Sequence, residues 1–435
     1  MAEVAAGLWA AEEVISTTVQ AAIGAYMIAK PTMPLKATFT QITASADDGT
    51  RSSLTRFGHT LSVVAIKAYI FGGETAAGKL AGSEMHAVTL ERSGDPESDY
   101  AVIPAVAGDD AGPIPCARTR HAACGLHDSV LIFGGVDGDG KLLDETSSLW
   151  GFNTSTRTWN RPEVSNSGDC PARRSSARLF AYGSDVVLYG GCDDNGTELA
   201  DVWLFSFPEK TWKPMPDAPI STTHAALSDG VLYLVSGSDK MSGNMHHLQL
   251  TVKPEETLKW DVVSFPTNPL TPGPLPREGA GLVAVSTGYG RKYLGYLFGA
   301  RKSASILSTE TAGKIDPERE TRDPAPQYWS DMWTLQIPSA PPEMKVTTHL
   351  YDAIKPAKIK DNIRDAIGAD AGTHQWAEVE VLPPADLEAS EGKVHPGPRA
   401  HFAYDVMKDG RWIVIWGGVN AKGECEGDGW VVQLE

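Results

Sequence analysis

The run Val130-Leu131-Ile132-Phe133-Gly134-Gly135 ends an apolar stretch on two glycines. A matching end recurs at Phe71-Gly72-Gly73, Tyr189-Gly190-Gly191, Val235-Ser236-Gly237, Phe298-Gly299-Ala300 and Trp416-Gly417-Gly418, which makes six occurrences. Downstream of each comes a polar residue, and two positions later an aromatic ring or a histidine, followed by alternating apolar residues. These pairs are Glu84/His86, Ser148/Trp150, Asp201/Trp203, Asn244/His246, Asp331/Trp333 and Asp428/Trp430. Alternation with a period of two describes a half-buried strand. A further aromatic-centred strand follows at Tyr100, Trp159, Trp212, Trp260 and Trp376. Another apolar run precedes each doublet, often opened by Arg and His, as in Arg56-x-x-His59, Arg118-x-x-His121 and Arg399-x-His401. Each unit therefore reads as four strands, a to d.

Six such units predict an all-β, six-bladed β-propeller of four antiparallel strands per blade, because radial repetition leaves only short, protected edges. The double glycine ending strand b resembles the kelch signature, as do the polar-x-Trp of strand c and the Trp of strand d. Units four (Ser236, His246) and five (Ala300) match it least. Glycine suits the doublet because a neighbouring blade's ring can approach the backbone where a Cβ would clash. The last unit stops after its strand c, and Ala37-Thr38-Phe39-Thr40-Gln41-Ile42-Thr43 has the pattern of a strand d. Residues 35–45 are accordingly expected to complete blade six and close the ring. The blades are expected at 56–105, 118–162, 173–215, 221–265, 277–382 and 398–435, with blade five carrying insertions at 301–328 and 339–371. Residues 1–34 form the remaining segment. There Val4, Leu8, Ile15, Val19 and Ile23 recur at helical spacing before Pro31 and Pro34, which predicts an amphipathic helix packed on the propeller.

The 435 residues carry 38 Lys and Arg against 55 Asp and Glu, a formal net charge of −17. That balance opposes nonspecific attraction to nucleic acid or anionic lipid. The 5 cysteines are odd in number and form no C-x-x-C pair, so neither a disulfide framework nor a zinc site is indicated. A reducing, cytoplasmic setting fits. The acidic start, with Glu3, Glu12 and Glu13, is unlike a signal or transit peptide, and no stretch approaches 18 purely apolar residues.

Several motifs suggest chemistry and fail on inspection. Gly73 to Leu80 matches G-x-x-x-x-G-K, but Leu80 replaces the Ser or Thr that would hold magnesium, and a strand rather than a helix follows. The plant nitrile-specifier and epithiospecifier proteins, which this chain resembles in blade count, hold iron through an E-x-x-x-D-x-x-x-H run that is absent here. Galactose oxidase has seven blades and a copper site that nothing here supplies. His246 and His247 point to opposite faces of one strand. No cofactor or metal, and no catalytic constellation, is expected.

The loop surface remains. The loop before strand a and the loop between b and c open on one face of an antiparallel blade. Arg56, His59, Arg118, Arg120, His121, Arg173, Arg174, Arg277, Arg399 and His401 are expected to encircle the channel mouth, and Glu74, Asp137, Asp139, Asp193, Asp194, Asp239 and Glu424 to form an acidic rim. Two roles compete for the arginines: binding an anion, or pairing with acids between blades. The expected function is a monomeric, non-catalytic interaction scaffold for a protein with an acidic segment. The alternative is an enzyme or product-redirecting protein that holds a small anionic ligand in the throat.

Overall fold

The structure, a computed structural model, describes residues 33–42, 53–76, 78–91, 99–109, 112–145, 149–165, 170–235, 244–251, 257–264, 273–287, 291–301, 328–338, 375–383, 394–407 and 410–435. The expected N-terminal helix, most of both blade-five insertions and Asp239 lie outside these residues.

Among the described residues the strands form six blades, each with its four strands paired antiparallel in the order a-b-c-d. Blade one is Thr60–Val64, Lys67–Phe71, Met85–Thr89 and Tyr100–Ile103; blade two is Ala122–Leu126, Ser129–Phe133, Leu149–Asn153 and Thr158–Asn160. Blade three is Arg178–Tyr182, Asp185–Cys192, Glu198–Ser206 and Thr211–Met215; blade four is Ala225–Ser228, Val231–Val235, Asn244–Gln249 and Trp260–Ser264. Blade five is Gly281–Thr287, Arg291–Leu297, Met332–Ile337 and Trp376–Glu378; blade six has Ala403–Val406, Trp412–Trp416 and Gly429–Leu434 as a, b and c. Strand a of every blade contacts strand a of the next, all the way round, which closes the ring.

Blade six is completed as expected. Lys36–Ile42 runs antiparallel to Gly429–Leu434, from Ala37 opposite Leu434 to Ile42 opposite Gly429. One strand was not anticipated: Glu380–Leu382, leaving blade five, pairs parallel to the outer side of Lys36–Ile42. The closing strand is thus hydrogen-bonded on both sides, and its edge is covered.

The core lies in the seams between blades. Among the described residues each seam holds a large apolar cluster; Phe71 and Ile132 share the first, Phe133 and Leu188 the second, and Ile70 and Trp416 the one that joins blade six to blade one. The strand d tryptophans reach across these seams. Trp159 packs 5.1 Å from Phe71 of the preceding blade, and Trp212 packs 5.7 Å from Phe133.

The glycine doublet is a seam device too. A Cβ on Gly134 would stand 2.3 Å from the Arg174 carbonyl oxygen, and one on Gly72 would stand 2.4 Å from that of Arg118. The His121 ring lies against Gly72 as well, so a neighbouring ring does occupy the space a side chain would need. Blades four and five use a different register from the one expected. Phe71, Phe133, Tyr189 and Trp416 pair with Thr60, Ala122, Arg178 and Ala403, and the equivalent pairs are Leu234 with Ala225 and Leu297 with Gly281. Phe298, at φ 49°, therefore holds the place of a first glycine, and Gly299 that of the second. Alignment on glycine misplaced both units by one residue; in blade five the reason is that a non-glycine residue, Phe298, accepts the left-handed conformation.

Candidate functional site

The strand-a arginines are built into the blades. Arg118 and Arg399 are 0% exposed, and Arg56, Arg174 and Arg277 are also buried. Four of them grip a carboxylate of strand c or the loop before it. Arg118 binds Glu145 through two bonds of 2.7 and 2.8 Å, Arg174 binds Asp201 at 2.5 and 2.8 Å, Arg399 binds Asp428 at 2.7 and 3.2 Å, and Arg277 binds Asp331 at 2.7 Å. The same carboxylate accepts the indole N–H of Trp150, Trp203, Trp430 or Trp333. Each guanidinium also donates to a carbonyl at the end of its own strand b: Gly134, Gly190, Gly417 or Phe298. A clamp of arginine, carboxylate and tryptophan thus repeats in four blades.

The clamp explains the polar-x-Trp pattern and corrects one assignment. In blade two the carboxylate is Glu145, not Ser148, which lies outside the described residues. Blade one uses a variant in which Arg56 meets His86 Nε2 at 3.0 Å and the other ring nitrogen faces the Tyr100 hydroxyl at 2.8 Å. Burial, then the Arg56 charge, push His86 down to about 4, against the opposing pull of Glu84. A neutral ring whose Nε2 accepts from Arg56 fits that setting.

The arginine backbones join the blades. The second-glycine N–H of Gly73, Gly135, Gly299 and Gly418 donates to the carbonyl of Arg118, Arg174, Arg399 and Arg56 in the following blade. Nearer the axis, Ser176 N donates to Arg120 O, Arg120 N to Gly58 O, Gly58 N to His401 O and His401 N to Gly279 O. All five residues of this arc have positive φ. His401 therefore occupies the place of Gly58 and Arg120, and Phe402 the place of His59 and His121. Burial holds the neutral form of the channel histidines: His59 well below its ordinary value, His121 and His224 at about 3, and His401 at about 4.

The predicted arginine ring thus divides. Arg56, Arg118, Arg174, Arg277 and Arg399 are consumed internally, because a desolvated guanidinium needs acceptors and the blade supplies them: a carboxylate for the last four, and the His86 ring and the Gly72 carbonyl for Arg56. Arg173 is partly exposed and pairs with Asp194 at 2.9 Å and Asp144 at 3.5 Å. Arg120 is half-buried at the mouth with no side-chain hydrogen bond or ion pair among the described residues, and Arg301, which spacing did not single out, is exposed there. The rim divides as well. Glu74 is buried and accepts the Gly78 N–H, inside a hairpin of Glu74–Ala76 with Lys79–Leu80 that carries no helix to cradle a phosphate. Asp137 and Asp193 are spent on their own loops, each accepting two backbone N–H bonds; Asp139, Asp194 and Glu424 are exposed at the rim.

Inside the ring runs a channel of about 1590 Å³, lined by strand a of all six blades and by the mouth loops. Its walls are mostly apolar, with Phe180, Leu227 and Val283 among them. Arg178, Tyr404 and Asp405 are among the polar residues that interrupt them, together with Thr60 and the histidines His59, His121 and His224. Among the described residues no group of three or more His, Cys, Asp or Glu is placed to hold a metal ion, and no helix is long and apolar enough to cross a membrane.

Residues 58–299 match the family model described as the KLHDC2/KLHL20/DRC7 Kelch-repeats domain. The chain belongs to the kelch-repeat family. Among curated relatives, this kelch propeller is 26% identical over 322 residues to Adagio-like protein 3 of Oryza sativa subsp. japonica, a match that covers 71% of this chain and 47% of that protein. It is 33% identical over 85 residues to Kelch domain-containing protein 3 of Rattus norvegicus, which covers 20% of this chain and 21% of that protein. The chain thus spans less than half the length of these relatives. Among solved structures, the one titled "Structure of YjhT" aligns with a TM-score of 0.53 at 12% identity, covering 88% of this chain and 97% of that one, a likeness of fold.

Proposed function

We propose that this kelch propeller is a non-catalytic interaction scaffold that recognises an acidic segment of a protein partner on the channel-mouth face. Kelch propellers commonly serve as protein-interaction modules. The observation that carries the finer reading is Arg120, a half-buried cation at the mouth that no side chain neutralises among the described residues, with the exposed Arg301 on the same opening. An arginine keeps its charge when partly desolvated, and its planar fork binds a carboxylate through two bonds. Asp139, Asp194 and Glu424 stand farther out and disfavour broad acidic surfaces, so a short acidic loop is selected over a large anionic face. Five free thiols suit a reducing, cytoplasmic location.

The test is a pull-down from the native cell with wild type, Arg120→Ala/Arg301→Ala and Arg118→Ala. Each engaged mouth arginine contributes on the order of 2 kcal/mol, so the double change should weaken a captured partner at least about a hundredfold at unchanged melting temperature. Arg118→Ala should instead lower the melting temperature. Capture undiminished by the mouth double change refutes the assignment.

A further inference from the structure

At the fourth residue after the strand-a arginine position, five blades carry a small residue, Thr60, Ala122, Ala225, Gly281 and Ala403, of which all but Gly281 line the channel. Blade three presents Arg178. Its Nε donates to the Thr223 carbonyl of blade four at 2.8 Å, and its guanidinium carbon lies 5.5 Å from the Tyr404 ring centroid of blade six, the blade opposite in the ring. A bar therefore crosses the channel. These contacts use Nε and one face of the guanidinium, and leave both terminal amino groups without a protein acceptor among the described residues. Tyr404 is held as well, since its hydroxyl oxygen accepts the Leu282 N–H of blade five at 3.1 Å.

Next to Tyr404, Asp405 interrupts an otherwise uncharged ring whose equivalents include Cys124, Phe180, Leu227 and Val283. One oxygen accepts the Val63 N–H of blade one at 2.7 Å, and the other its neighbour Val406 N–H at 2.8 Å. No cation pairs with it among the described residues. Desolvation pushes this carboxyl up to about 6, against the pull of those two N–H groups. It sits two residues farther along the strand direction than Arg178, about 7 Å down the channel.

Charged groups removed from water are ordinarily paired. Here a fixed cation and a fixed anion share one cavity, and each is tethered so that it does not reach the other. We propose that Arg178, Tyr404 and Asp405 form a binding site for a small zwitterion of the amino-acid type. Its carboxylate is received by the two free amino groups of Arg178 and its ammonium by Asp405, with the Tyr404 hydroxyl free to donate to the same carboxylate. Phe180, Leu227 and Val283 supply apolar wall for the carbon skeleton. The side chains are held in advance by contacts with three other blades, which lowers the ordering cost of binding. This site lies below the mouth and does not depend on the partner reading above.

The experiment is calorimetric titration of the full chain with leucine, 4-aminobutanoate and 5-aminopentanoate, alongside butyrate and butylammonium as single-charge probes. At least one zwitterion should bind one to one, and at least about tenfold more tightly than either single-charge probe. Arg178→Met and Asp405→Asn should each abolish that preference, with a melting temperature near wild type confirming that the variant is folded; Arg178→Lys, which keeps the charge without the fork, should retain part of it. No zwitterion binding up to about 10 mM overturns the proposal. So does butyrate binding as tightly as the zwitterions, which would make Arg178 a simple anion site, and so does butylammonium doing the same, which would make Asp405 a simple cation site.

Discussion

Arg118→Ala is the sharpest probe of how the blades are held. The side chain is 0% exposed and gives two bonds to Glu145, one of 3.1 Å to Gly134 O and one of 3.1 Å to Cys116 O. Truncation leaves Glu145, whose side chain is 14% exposed, with the Trp150 indole as its remaining side-chain donor. Removing one member of a buried pair costs about 3–5 kcal/mol, most of it from the stranded charge. A domain's whole stability is about 5–15 kcal/mol, so a single residue governs a large share. The stranded charge is the dominant part, so Arg118→Met/Glu145→Leu should recover most of the loss, since well-packed apolar replacements of buried pairs are close to neutral. Equilibrium urea unfolding followed by tryptophan fluorescence measures all three proteins, with Arg120→Ala as a control expected within about 0.5 kcal/mol of wild type. A loss below about 1 kcal/mol for Arg118→Ala, or a double variant less stable than the single one, would refute the clamp reasoning.

Gly134→Ala should cost several kcal/mol, on the order of 3, because the added Cβ meets a backbone carbonyl at 2.3 Å with φ at +66°, whereas Gly140→Ala, at φ +77° in open space, should lose only about 1 kcal/mol in thermal melts. Deleting residues 1–45 removes the strand paired with Gly429–Leu434 and should cause aggregation in size-exclusion chromatography, while deleting residues 1–30 leaves that strand intact and should be milder; identical behaviour would show that closure contributes nothing. For Asp405 the folded value is raised to about 6, so its favourable contribution is complete below the unfolded value of about 3.9 and disappears as pH rises through 6. The buried histidines act oppositely, since their lowered values cost stability as pH falls below about 6.5. The difference in melting temperature between Asp405→Asn and wild type should therefore move in favour of the variant from pH 5 to pH 7.5, and a difference independent of pH counts against a titrating Asp405.

The six-bladed ring and its closing strand were legible in the chain because both rest on local pattern. Alternation marks a strand wherever one face is buried, and the glycine doublets mark where blades approach too closely for a Cβ. The residues 37–43 showed the strand d pattern, and the last unit lacked such a strand. The same local logic failed in blades four and five, and in blade five because Phe298 takes a left-handed conformation that spacing does not announce.

Which arginine faces inward could not be read from the chain. Arg118 and Arg120 stand two residues apart in one motif, yet the first is sealed against Glu145 and the second opens on the channel mouth. The left-handed turn at Arg120 breaks strand alternation, so parity along the sequence no longer assigns a face. Arg178 and Tyr404 belong to opposite blades, and their contact follows from ring closure alone. Sequence therefore determined the repeating strands and the places where backbones must touch, because those are set by period and by side-chain volume. The tertiary structure decided which charges are neutralised and which remain free, because that depends on distances across the ring between residues far apart in the chain.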